Sequence, residues 1–210
     1  GVDSSTLVNA ARFCEGVDFC AVIANSEVVF DHEIERAREM CRKLRVSFFE
    51  VEHDFFGNVS AVKNGVNRCY YCKRELFLTL KGLIQEKGYK YLVDGTNLSD
   101  LSENRPGLDA AEEIGVVSPL RECGFEKQDV RELAKKYDIE YWNEPGSACI
   151  ATRIPTDTPI TQQKVRRVKK GELILQSLGF RGPRLRHHED IARIELREDD
   201  FLKLNSKELR

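Results

Sequence analysis

Short apolar runs alternate along this chain with stretches whose apolar residues recur every three or four positions, the pattern of strands interleaved with helices. Phe19 to Ala24 reads as a buried strand, and Asp31 offers an N-cap for a helix carrying Ile34, Ala37, Cys41 and Leu44. Phe48 to Val51 is a second strand. Leu76, Phe77, Leu80, Leu83 and Ile84 then form a helical stripe that stops at Gly88. Tyr91 to Val93 predict a third strand, running into Asp94-Gly95-Thr96-Asn97. After Gly115 comes the run Val116 to Leu120, and Val130, Leu133, Ala134 and Tyr137 mark one more helix. Such alternation predicts an α/β fold, a mainly parallel sheet with helices on both faces. Past Pro145 the texture changes. Thr161 can cap a helix to Leu178, closed by Gly179, and Arg184 to Leu196 alternates as strands do. A first domain over 1–150 and a smaller α+β domain over 151–210 are expected.

Composition narrows the class. With 41% hydrophobic and 32% charged residues the chain can build an ordinary core, and a net charge of -2 gives no global argument for nucleic acid or membrane binding. No apolar run approaches the ~18 residues that span a bilayer. Seven cysteines, an odd number in 210 residues, point to a reducing, cytoplasmic setting rather than a disulfide scaffold. Cys14, Cys20, Cys41 and Cys123 read as small core residues or loop thiols. Between 151 and 186 nine Lys or Arg face two Asp or Glu, a local positive field.

Chemistry concentrates in a few strings. Gly1-Val2-Asp3-Ser4-Ser5 leads into a helix, and backbone N–H groups with hydroxyls at a helix N-terminus suit a phosphate. Asp94-Gly95-Thr96-Asn97, with Asp100, follows a strand at a carboxyl edge, where open α/β sheets bind ligands. Its glycine allows close backbone approach. Cys69-Tyr70-Tyr71-Cys72 brings two thiols three residues apart, enough to share a metal or cluster or to form a redox disulfide. Zinc would want a second ligand pair, whereas three thiolates suffice for an iron–sulfur cluster with one open iron. The third thiol would be Cys149, in Gly146-Ser147-Ala148-Cys149-Ile150-Ala151-Thr152-Arg153. Between a turn and an arginine, it is expected to be exposed, electropositive and inclined to thiolate. Glu172 lies on the apolar stripe of Val165, Val168 and Leu175 and needs a partner or a metal. Arg184 and Arg186 share one strand face and can fork a phosphate.

These strings resemble the PP-loop ATP pyrophosphatases, and within them the LarE family of sulfur transferases. The resemblance runs through C-Y-Y-C-K, D-G-T-N-x-x-D, Arg105-Pro106-Gly107, Ser118-Pro119-Leu120, A-C-x-A-x-R and the closing R-L-R and A-R-I-E strings. It makes Gly1, Asp3 and Ser4 the second half of the phosphate loop, the first strand lying upstream, and Ser206 to Arg210 a segment that continues into further strand. It implies an ATP site from Gly1, Asp3, Ser4, Ser5, Ser26, Gly95, Thr96, Asn97 and Asp100, with Mg2+. It implies adenylation of the carboxylates of a pyridinium mononucleotide, then displacement of AMP by sulfur for a nickel-pincer cofactor. With all three cysteines present, Cys69, Cys72 and Cys149 resemble the form that relays sulfide from a donor through a 4Fe-4S cluster. The single-cysteine form instead sacrifices the residue matching Cys149. Thr152, Arg153, Arg184 and Arg186 would hold the substrate phosphate, Glu172 and Glu195 a divalent cation, and the protein would be a homo-oligomer. Ordinary Glu–Arg pairing is the plain alternative for both carboxylates. tRNA thiolation and a non-catalytic, zinc-stabilised nucleotide module are the competing functions. Against the first, aromatic residues are not interleaved with the basic run.

Overall fold

The computed structural model describes residues 1–102, 106–146 and 148–205. Arg105, Ser147 and Ser206 to Arg210, named above, lie outside them. Helix α1 (Val2–Ala11) precedes strand β1 (Ala21–Asn25), α2 (Asp31–Leu44) and β2 (Phe48–Glu52). The two strands are parallel, with Ala21 opposite Phe48 and Asn25 opposite Glu52. The expected third strand is reduced to a parallel bridge between Val93 and Val117. Val117 N–H reaches the Leu92 carbonyl and Asp94 N–H the Val117 carbonyl, so pairing stops after two links. Asp31 is the first helical residue of α2 rather than its cap, with Phe30 before it.

Three apolar clusters hold the layers. Phe77 and Leu80 of α4 (Arg68–Glu86) meet Ala111 and Ile114 of α5 (Pro106–Ile114), with Val22 and Val51 of the strands against them. Val2 of α1 packs with Leu120, Val130 and Ala134, the last two on helix α7 (Lys127–Lys136), which follows the short helix α6 (Pro119–Glu122). The third cluster joins Val28, Phe30 and Phe55 to Ala61 on α3 (Val59–Val62) and then crosses residue 150 to Ile150, Ile154, Ile160, Val165 and Val168. Apolar side chains on both sides of the expected boundary thus share one core.

The C-terminal part follows its sequence pattern. Helix α8 (Gln162–Ser177) is capped by Thr161, whose hydroxyl accepts from Lys164 N–H, and ends before Gly179 at φ 83°. Strands β3 (Arg184–His188) and β4 (Ile191–Glu195) pair antiparallel, and a short helix α9 (Glu198–Phe201) follows. No helix among the described residues is long and apolar enough to cross a membrane.

Candidate active site

Helix α4 starts at Arg68, earlier than its apolar stripe suggested, so Cys69 and Cys72 sit within its first two turns, one helical step apart on the same face. Cys149 comes to them from the segment before a 3-10 turn (Ile150–Arg153) that is pinned by Ile150 N–H on the Val28 carbonyl at 2.9 Å. Cys72 and Cys149 pack against the same apolar cluster. Burial, then the charges of Cys149 and Cys69, push the Cys72 thiol up to about 12. Burial also raises the Cys149 thiol, with the Arg68 guanidinium opposing. This corrects the expected exposed thiolate: the electropositive neighbour is present, but desolvation outweighs it. Two further groups touch the sulfurs. Arg68 Nη2 lies 3.6 Å from Cys69 Sγ, and buried His53 brings Nε2 to 3.3 Å from Cys72 Sγ.

Among the described residues no group of three or more His, Cys, Asp or Glu side chains stands in a metal-holding arrangement. As chemistry, three thiols are nevertheless a soft donor set of the kind a thiophilic metal takes. The three thiols are half-buried together, and burial with neighbouring thiol charge raises Cys72 and Cys149, a cost that a cationic centre reverses.

The N-terminus of α1 opens on a cleft of about 690 Å3 lined by Gly1, Asp3, Ser4, Ser5, Asp100, Lys127, Ala148 and Arg184 among others. Lys127 Nζ grips Asp3 at 2.6 and 2.7 Å. Gly95, Thr96 and Asn97 stand behind this cleft instead of lining it. Asn97 is buried and donates to Asp3 Oδ1 at 3.2 Å. Thr96 donates from its hydroxyl to Asp94, which also accepts from Ser118 Oγ. Gly95 does permit close approach, but of the chain itself: a Cβ there would lie 2.7 Å from Ser4 N. Ser5 shares a hydrogen bond with Tyr141. Ser26 lines a separate cleft of about 430 Å3 at the carboxyl ends of β1 and β2, with Asn25, Glu52 and His53.

A smaller recess of about 240 Å3 is lined by Arg68, Thr152, Arg153, Arg186, His188 and Arg193 among others. Arg186 and Arg193 share the Glu195 carboxylate at 2.8 and 2.9 Å, which lowers its pKa. His188 Nε2 is shielded from solvent and has no hydrogen-bond partner. Arg153 differs: Glu172 neutralises it through bonds of 2.9 and 3.1 Å. Arg184 turns to the larger clefts, donating to the Gly146 carbonyl at 3.3 Å. Of the four expected phosphate residues, Thr152, Arg153 and Arg186 line this recess and Arg184 does not, and Glu172 and Glu195 are each paired with arginine rather than facing one cation. Arg68, His53 and Lys127 were not singled out from sequence. Arg68, next to the C-x-x-C, carried the one usable signal.

No family model matches the chain. An uncharacterised protein of Synechocystis sp. is 35% identical over 93% of this chain and 73% of its own length. The pyridinium-3,5-bisthiocarboxylic acid mononucleotide synthase of Lactiplantibacillus plantarum is 34% identical over 99% of this chain and 76% of its own. Among solved structures, NMN synthetase from Francisella tularensis shares the fold at a TM-score of 0.56 and 18% identity, over 70% of this chain and 63% of that one.

Proposed function

The chain belongs to the LarE family of PP-loop, ATP-dependent sulfur transferases, and from that membership we propose that it adenylates a carboxylate of a pyridinium mononucleotide and replaces AMP with sulfur delivered at Cys149. One observation carries the reading. Pro145, Gly146 and Ala148 line the cleft at the α1 N-terminus, and Cys149, next in the chain, belongs to the cysteine centre. Nucleotide activation and sulfur delivery therefore adjoin.

Each step balances. A substrate carboxylate oxygen attacks the α-phosphorus of ATP and pyrophosphate leaves; sulfur then attacks the acyl carbon and AMP leaves with that oxygen. Lys127 and the α1 N–H groups offset the phosphate charge, while Asp3 and Asp100 are the carboxylates suited to Mg2+ in this cleft. The recess of Arg68, Arg186, Arg193 and Thr152 suits the phosphate of the mononucleotide. A 4Fe-4S cluster held by Cys69, Cys72 and Cys149 would supply donor-derived sulfide as a nucleophile at neutral pH. Its binding would release the thiol protons to solvent. Two thiocarboxylates on one pyridinium ring make a soft donor set for nickel, the nickel-pincer cofactor.

Exchange of labelled pyrophosphate into ATP, measured with and without the carboxylated mononucleotide, tests the first step. Exchange that depends on the mononucleotide is expected, and its absence refutes adenylation. Iron content and visible absorption of oxygen-free protein test the second, both being lost in Cys69→Ser; stoichiometric zinc in a colourless protein would refute the cluster.

A further inference from the structure

The backbone that carries Cys149 is held by its carbonyls, and arginines hold it. Arg153 Nη1 donates to the carbonyl oxygens of Ala148 at 2.5 Å and Cys149 at 3.3 Å. Arg68 on α4 reaches the Ala151 oxygen at 3.0 Å, and Arg186 on β3 the Thr152 oxygen at 2.8 Å. Arg153 is the innermost, with a side chain 5% exposed, and its remaining edge is taken by Glu172, 1% exposed. Glu172 Oε1 also accepts from Leu185 N–H at 2.8 Å, which ties α8 to β3. The adjoining Gly171 makes that approach feasible: a Cβ there would lie 2.9 Å from Leu185 Cδ1. One buried carboxylate therefore links a helix, a strand and the Cys149 segment.

Stability alone is a weak reason for such a pair, because well-packed apolar residues of similar volume commonly do as well or better in that position. What apolar residues cannot supply is a fork that fixes two carbonyls beside a reactive thiol. We propose that Arg153 and Glu172 are positioning residues for Cys149, acting on sulfur transfer through the placement of its sulfur and not through contact with the substrate phosphate. The kinetic part rests on the sulfur-transferase reading; the geometric part does not.

The test is Glu172→Gln, which keeps shape and removes charge, with Glu172→Asp beside it. Steady-state kinetics on the mononucleotide are measured together with the rate at which iodoacetamide alkylates Cys149 in metal-free protein, followed by peptide mass spectrometry. The expected result is a kcat about tenfold or more lower with KM within about threefold, an altered Cys149 alkylation rate, and partial recovery of both in Glu172→Asp. A KM raised about tenfold at unchanged kcat would assign Arg153 to the phosphate and overturn the proposal. So would unchanged kinetics with unchanged alkylation. If Glu172→Gln fails to fold, the double variant Arg153→Met with Glu172→Leu restores packing without the fork. It should fold yet transfer sulfur poorly, and native kcat in that folded variant overturns the proposal equally. Should native protein show no turnover, the sulfur-transferase reading fails by itself, and the alkylation rates still decide whether the pair sets Cys149.

Discussion

At the level of single residues, adenylation and sulfur delivery adjoin but use different side chains, because none of the three cysteines lines the cleft of Asp3 and Lys127. Cys149→Ser is therefore expected to keep mononucleotide-dependent pyrophosphate release while losing thiocarboxylate formation, which mass spectrometry of the product checks. Loss of both would mean that the cysteine shapes the nucleotide cleft. The thiols also carry a pH signature. Burial and the charges of the neighbouring thiols favour the protonated form of Cys72, so in metal-free protein its neutral thiol persists above the ordinary range and gives way only as pH approaches the folded value. Alkylation of Cys72 should stay slow through the pH where free cysteine reacts and accelerate toward about 12. Fast alkylation near neutrality would contradict the crowded centre. Composition and spacing made these thiols visible as a trio, but not their burial. The turn and arginine beside Cys149 suggested an exposed site, and only packing on Ile150, Val28 and their neighbours reverses that.

At the level of elements, placement of the C-x-x-C within the first two turns of α4 explains much. The apolar stripe marked the helix only from Leu76 onward, since the first turns present cysteines, tyrosines and charges that show no periodicity. Likewise Asp94 to Asn97 read as a ligand string, whereas most of its polar atoms bind one another and the start of α1. Gly95 is the sensitive point. Gly95→Ala places a methyl against Ser4 N and should cost about 1–3 kcal/mol in urea denaturation through overpacking. Because the displaced atoms belong to the phosphate-facing turn, KM for ATP should rise with it. An Ala variant of native stability and KM would show that α1 yields freely.

At the level of the whole molecule, the strand–helix alternation was legible because burial writes its period directly into the sequence, as at Ala21–Asn25 and Gln162–Ser177. The relation of the two halves was not legible. The change in charge texture near Pro145 reads as a boundary, but Ile150, Ile154, Val165 and Val168 share a core with Val28 and Phe55. A shared core makes the thiol's position depend on both halves. Ile150→Ala, fully buried beside Cys149, should lower stability by about 2–5 kcal/mol and impair sulfur transfer in the same variant. A stability loss with intact transfer would separate the core from the centre. From sequence Arg153 and Arg186 were grouped as phosphate ligands; their hold on the Cys149 backbone, together with Arg68, was not legible, because the three are far apart in the chain and converge only through that core.

The most direct test of ATP-driven sulfur delivery at Cys149 is a single stoichiometry. Oxygen-free protein is given ATP, Mg2+, sulfide and the carboxylated pyridinium mononucleotide, and AMP and thiocarboxylate are counted together. One AMP for each carboxylate oxygen replaced by sulfur, with thiocarboxylate absent in Cys149→Ser, is the expected result. Thiocarboxylate formed by Cys149→Ser at the native rate, or no AMP at all from the native protein, would contradict it.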